Sequence, residues 1–179
     1  LHPNFIEGAK CLQEAGLSLD FWIYHTQLNE LEQIAKALPD LNIILNHIGG
    51  PIQIGEYEGK QALTHREWRP AMMRLSRLPN ISVKLGGLGM TLNGAKFHLN
   101  ETPPSSTELS DIWKPWIYET INMFGVDRCM FESNFPVDKG SCSYGSLWNA
   151  FKIISKEMTQ DEKNKLFYEN AVKTYKIKL

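Results

Sequence analysis

No Cys-x-x-Cys pair occurs in this chain, and its three cysteines, Cys11, Cys129 and Cys142, are odd in number. That excludes a zinc knuckle and a fully paired disulfide frame, and it reads as reduced thiols of a cytoplasmic protein. Runs of like charge are missing too, with nineteen Lys and Arg against twenty Asp and Glu. A nucleic-acid or anionic-membrane footprint is therefore not expected, and the expected partner is a small molecule. Oligomeric state is not readable from the residues. No apolar run approaches membrane-spanning length, and the first residues, Leu1 to Phe5, lack the basic and apolar regions of a secretion signal. They also lack an initiator Met and pass directly into helical sequence, so residues 1–179 are expected to be the later part of a longer protein. No G-x-G-x-x-G or Walker-type sequence opens a helix. Gly86-Gly87-Leu88-Gly89 comes nearest but leads into a long loop, which argues against a dinucleotide or triphosphate role.

What is present is a chain of 179 residues, 42% hydrophobic, long enough to bury a sizeable core. Pro3 to Ala15 reads as a helix stopped by Gly16, and Leu17 to Tyr24 as a strand ending at His25. Thr26 is expected to cap the next helix, whose stripe is Leu28, Leu31, Ile34, Ala35 and Leu38 before Pro39. A strand over Asn42 to His47, a Gly-rich loop over 48–65 and a helix over Arg66 to Leu78 follow, with Pro70 in that helix's first turn. Asn80 to Leu85 alternates as a strand, and a second loop runs from Gly86 to about Pro104. Ser105 and Glu108 form a capping box for a helix to Gly125, in which Pro115 predicts a kink or break. After a strand over 128–134 come a helix from Tyr144 to Lys156 and a last helix opened by the Thr159/Glu162 box. Repeated strand-plus-helix units predict a parallel sheet with crossover helices. The links from helix to strand are short, while those from strand to helix are mostly long, so the loops gather at the carboxyl edge of the strands, where such folds place their sites. Four strands fit either half of an eight-stranded barrel or a small doubly wound domain.

The stretch from Arg128 to Asp138 carries polar residues where a core strand wants apolar ones. Period-two alternation places Glu132 and Asn134 on one face with Met130. Lys84 alternates inward between Val83 and Leu85, and a buried ammonium should meet a carboxylate, Glu132 being a candidate, or an anionic substrate group. His25 and His47 each end a strand one unit apart, so their imidazoles are expected to converge for metal ligation or acid/base work. Tyr57, Arg66 and Tyr144 are candidates to close over a ligand from the loops. The five tryptophans read as packing rather than as a binding platform.

Asn46-His-Ile-Gly-Gly-Pro51, Val83-Lys-Leu-Gly-Gly87, Arg128-Cys-Met-Phe-Glu-Ser-Asn-Phe-Pro136 and Asn170-Ala171 together resemble the signatures of the amidohydrolase-related family, in the group of pyrone-dicarboxylate and sugar-acid lactonases. The resemblance implies a (β/α)8 TIM-type barrel of which this chain is the carboxyl-terminal half, about strands five to eight, with the amino-terminal strands missing. It implies a hydrolase that opens a lactone or similar cyclic ester of a small acid. His47, Glu132, Asn134 and Lys84 would be catalytic, and His25, Tyr57, Arg66 and Tyr144 would bind substrate. Asn134 falls where the family usually has a water-activating aspartate, and an amide cannot accept a proton in its place, so either Glu132 takes the role or the chemistry has changed. The family's first-strand His-x-His pair is outside the sequence, so no metal ligand is assigned and a divalent metal such as zinc would need upstream ligands. Two alternatives remain open here: a metal-dependent decarboxylase of the same superfamily and a non-catalytic remnant.

Overall fold

A computed structural model describes residues 2–178. Four short strands pair in parallel, β1 (Ser18–Phe21), β2 (Asn42–Leu45), β3 (Ile81–Leu85) and β4 (Cys129–Phe131), and their order in the sheet is their order in the chain. Parallel neighbours need a crossover between them. Helices α2 (Leu28–Ala37), α3 (Gln61–Leu75) and α4 (Ser106–Phe124) supply it. Helix α1 (Pro3–Glu14) precedes β1, and α5 (Tyr144–Ile154) follows β4. The last stretch is α6 (Gln160–Asn164), a π turn (Lys165–Glu169) and α7 (Asn170–Thr174).

Alternation along the strands gives the sheet two unlike faces. Phe21, Ile43, Leu45, Ile81, Val83, Leu85, Cys129 and Phe131 belong to the core shared with the helices. Register aligns Asp20, Ile44 and Ser82 in one row of the opposite face and Lys84 and Met130 in the next. Phe131 stacks on Phe151 of α5 at 4.5 Å and packs on Phe167 of the π turn at 4.7 Å, which seals the core under β4. Two polar residues pin the helices to strand starts through backbone carbonyls. Arg128 donates to the carbonyls of Ser76, Leu78 and Phe124, and the Asn170 amide donates to those of Val126 and Cys129.

The strands are shorter than their apolar runs suggest. β1 ends at Phe21 and β2 at Leu45, so His25 and His47 open one-turn 3-10 helices rather than ending strands. β4 stops at Phe131, which leaves Glu132 and Asn134 beyond the alternation expected to align them, and Asn134 takes a left-handed φ of 51°. Thr26 does not cap α2. The Gln27 side chain instead accepts the Tyr24 N–H at 3.1 Å, closing a separate turn. Helix α3 begins at Gln61 rather than Arg66, which puts Pro70 in its interior, and α4 runs unbroken through Pro115. Both prolines and the residues four before them, Arg66 and Asp111, are exposed, so each helix gives up the hydrogen bond between these positions on its solvent side. Both capping boxes, Ser105/Glu108 and Thr159/Glu162, form as expected.

Candidate active site

The site is built at the carboxyl edge by the segment that follows β2. His47, Ile48, Gly49 and Gly50 all have positive φ, of 54°, 49°, 75° and 54°. Such a conformation is uncommon for His and strained for the branched Ile48, so packing must hold it. The Trp68 indole donates to the Ile48 carbonyl at 2.7 Å, the His25 N–H donates to the Gly50 carbonyl at 3.0 Å, and a side chain at Gly50 would strike the Ile23 carbonyl. This turn carries His47 across to the residue just past β4.

There the Glu132 carboxylate accepts twice with one oxygen, from the His47 backbone N–H at 3.1 Å and from His47 Nδ1 at 2.5 Å. A carboxylate oxygen offers only lone pairs, so the proton sits on Nδ1 and Nε2 is left as the basic nitrogen. Two glycines make room for the pair. A Cβ on Gly86 would come within 2.4 Å of Glu132 Cγ, and one on Gly87 within 2.5 Å of His47 Cγ. Trp22 meets the imidazole edge-on at 4.5 Å. An oriented imidazole, a part-buried carboxylate and an available Nε2 can serve as an acid/base dyad.

Next to the dyad, Asn134 donates its amide N–H to Asp138 Oδ1 at 2.8 Å. Asp138 is wholly buried and its other oxygen accepts the Gly89 N–H at 3.1 Å. Burial pushes its carboxyl up to about 6, against the pull of these two hydrogen bonds. Sequence reasoning misses Asp138, because nothing in a loop residue four places beyond Asn134 announces burial.

The remaining candidates lie outside the dyad. Lys84 is bonded to Asp20, at 2.6 Å, and its ammonium lies over the Tyr175 ring at 5.3 Å; Glu132, one candidate partner for it, is hydrogen-bonded to His47 and acts on Lys84 through its charge alone. Burial works against its charge, but the bonds to Asp20 and Tyr175 outweigh it and hold its pKa above the usual lysine value. His25 does not converge with His47 into one pair of ligands. Its Nδ1 accepts the Ile52 N–H at 3.2 Å, its Nε2 faces Glu67 at 3.5 Å, and Tyr57 both packs on its ring at 4.9 Å and donates to Glu67 at 2.9 Å. Burial lowers the His25 pKa despite Glu67, so the ring is neutral. Arg66 is exposed on α3, and Tyr144, exposed at the start of α5, packs edge-on against Phe135 at 5.1 Å. Among the described residues no three His, Cys, Asp or Glu side chains are placed to hold a metal ion.

The model of the amidohydrolase family matches residues 3–177. The chain belongs to the amidohydrolase family. Among its relatives, the uncharacterised protein y4mH of Sinorhizobium fredii is 39% identical over 179 residues, covering 98% of this chain and 52% of the relative. The L-rhamnono-gamma-lactonase of Scheffersomyces stipitis is 24% identical over 193 residues, covering 98% of this chain and 54% of the lactonase. An amidohydrolase of Burkholderia multivorans, solved with bound zinc, superposes with a TM-score of 0.84 at 20% identity, covering 99% of this chain and 58% of that one. The chain thus spans about half the length of the relatives it matches, as part of a barrel would. Among the described residues no helix is long and apolar enough to cross a membrane.

Proposed function

We propose that this amidohydrolase-family chain takes part in opening a lactone or similar cyclic ester of a small organic or sugar acid, with its four strands serving as strands five to eight of an eight-stranded barrel. The observation that carries the reading is the 2.5 Å contact between His47 Nδ1 and Glu132 Oε1 at the carboxyl edge of the sheet. Parallel α/β folds carry their chemistry at that edge, and a relative named as a lactonase aligns with nearly the whole chain.

In this scheme His47 Nε2 removes a proton from water as the water oxygen bonds to the lactone carbonyl carbon. Glu132 stabilises the imidazolium that forms. Collapse of the tetrahedral intermediate breaks the ring C–O bond, and the imidazolium returns its proton to the departing alkoxide, leaving a hydroxy acid. Asn134, whose amide N–H is given to Asp138, offers its carbonyl oxygen to the water. Arg66 and Tyr144 are assigned to the substrate's carboxylate and ring. Lys84 and His25, held by Asp20 and Glu67, are assigned to supporting the site rather than touching substrate. No metal is assigned to these residues, and the proposed partner is the small-molecule substrate alone.

A pH-indicator assay of the full chain against sugar-acid lactones and pyrone-dicarboxylate lactone, with and without chelator, tests this. Acid release that survives chelation and is lost in Glu132→Gln and His47→Asn is the expected result. Release of carbon dioxide from hydroxybenzoates without lactone opening would overturn it in favour of a lyase, and no turnover of any lactone would overturn it outright.

A further inference from the structure

Resting on that reading, we infer that Asp138 is a positioning residue that locks the side-chain amide of Asn134 in one of its two orientations, so that Asn134 Oδ1 faces the reacting water beside His47. The amide of an asparagine can turn over at little cost, exchanging a donor for an acceptor. Here the exchange is blocked, because Asp138 is an acceptor at both oxygens. Oδ1 takes the Asn134 N–H at 2.8 Å and Oδ2 takes the Gly89 N–H at 3.1 Å. The backbone that carries the carboxylate is pinned, since the Ser141 and Cys142 N–H groups both bond to the Asp138 carbonyl and the Asp138 N–H bonds to the carbonyl of Asn134. Gly89 is pressed so closely on it that an added Cβ would stand 2.9 Å from Oδ2. The Ser141 hydroxyl fixes Gly89 in turn by donating to its carbonyl at 2.5 Å. Asp138 is fully buried and so cannot reach substrate, while Asn134 is partly exposed. The carboxylate therefore acts through the amide.

A neutral isostere reverses the logic. In Asp138→Asn the new side chain has one acceptor, and the Gly89 N–H, which has no alternative, claims it. Its NH2 then points at Asn134, whose amide must turn and present NH2 to the water. Adding Asn134→Asp to that variant restores an acceptor, because an aspartate has no donor to turn outward. The titratable neighbours are His47, after β2, and Glu132, earlier in the same segment, whose charges act on Asp138, and Cys142, whose thiol donates to the Asp138 carbonyl and is itself pushed up to about 11, mainly by burial.

Two measurements test the assignment. The first needs no turnover: the side-chain amide resonances of Asn134 are followed by NMR as pH is varied. They are expected to shift with a midpoint near 6, the value to which burial raises Asp138, and to lose that shift in Asp138→Asn. Resonances that titrate equally in the variant, or that in neither protein show one N–H displaced by a bond to a carboxylate, would overturn the assignment whether or not the protein opens lactones. The second is kinetic. Asp138→Asn is expected to lower kcat by about tenfold or more with KM within about threefold, and the double variant Asn134→Asp/Asp138→Asn to recover most of the loss. A loss spread equally over kcat and KM with no recovery in the double variant would reduce Asp138 to a folding role. Absence of lactone turnover in the wild type would defeat the proposed function alone, leaving the NMR titration to judge the positioning.

Discussion

The Lys84 ammonium lies 2.6 Å from Asp20 Oδ1, across the intervening strand β2. Tyr175, just past α7, joins the pair by donating its hydroxyl to the same oxygen at 2.8 Å. Three residues far apart in the chain thus form one polar cluster on the sheet face opposite the helices. Its members shape one another. Burial and the Asp20 bond push the Tyr175 hydroxyl up to about 12, and Lys84 opposes them, so the phenol stays protonated as a donor. An ammonium on a sheet face that also carries Ile44 and Met130 is costly without a counter-charge, and Asp20 supplies one.

Lys84→Met is therefore expected to act on stability more than on substrate affinity. It leaves Asp20 without its cation. Because the carboxylate is partly exposed, the cost is about 1–2 kcal/mol rather than that of a fully buried pair. Urea denaturation of Lys84→Met, Asp20→Asn and the double variant should give a double variant less destabilised than the sum of the singles. KM for an anionic lactone that rises tenfold or more in Lys84→Met, with stability unchanged, would return Lys84 to the substrate.

Gly87 has φ of 67° and a Cβ there would stand 2.5 Å from the His47 ring. In Gly87→Ala the backbone is strained and the imidazole must leave its place over the strand end. A loss of stability of about 1–3 kcal/mol and a fall in kcat larger than any change in KM are expected, read by denaturation and steady-state kinetics on the same preparation. Gly125→Ala is the control. It too has positive φ, but a Cβ there meets nothing within 4 Å, so only the backbone penalty remains and kcat should hold.

How far these relationships can be read from the residues depends on their reach along the chain. The parallel order, the two capping boxes and the gathering of long loops at one edge follow from local period and local chemistry, and the structure has them. The positions of Glu132 and Asn134 do not. Extending the strand to 134 requires alternation to continue through polar residues, whereas the ladder ends at Phe131 and the following turn decides where each side chain goes. Lys84 is, as its alternation predicts, an inward cation that needs a carboxylate, but the residues alone do not choose between Asp20 and Glu132. Only the register of β1, β2 and β3, which sets Asp20 level with Ser82, brings Asp20 into reach of Lys84. His25 departs from expectation for a similar reason. It ends an apolar run, yet a one-turn helix swings it toward Tyr57 and Glu67 of α3.

Glu132→Gln should cost more than the loss of one hydrogen bond. The carboxylate both selects the Nδ1–H tautomer of His47 and stabilises its imidazolium, and an amide does the second poorly. A fall in kcat of about 10³-fold or more is expected, with KM little changed. Because the two side chains act as a unit, adding His47→Asn to Glu132→Gln should cost little beyond the worse single variant. Losses that multiply in the double variant would mean that Glu132 and His47 act at separate steps.

Stability against pH offers a test that needs no substrate at all. Asp138 titrates near 6 in the folded chain, because burial disfavours its charge, against an ordinary aspartate value near 3.8. Between those limits the folded state holds a proton that the unfolded state has released, so the native protein gains stability as pH falls from about 7 to about 4 and loses it as pH rises again. The distance between the two values corresponds to about 3 kcal/mol, an upper figure for this one group. Other acids blur the total, so the quantity to measure is the difference in unfolding free energy between wild type and Asp138→Asn at pH 4 and at pH 7. That difference should move in favour of the wild type by about 2–3 kcal/mol on going to pH 4. A move in the opposite direction would mean that the hydrogen bonds from Asn134 and Gly89 outweigh burial and hold the carboxylate below its ordinary range. Asp138 would then be ionised throughout the working range, and its grip on Asn134 would not loosen near pH 6.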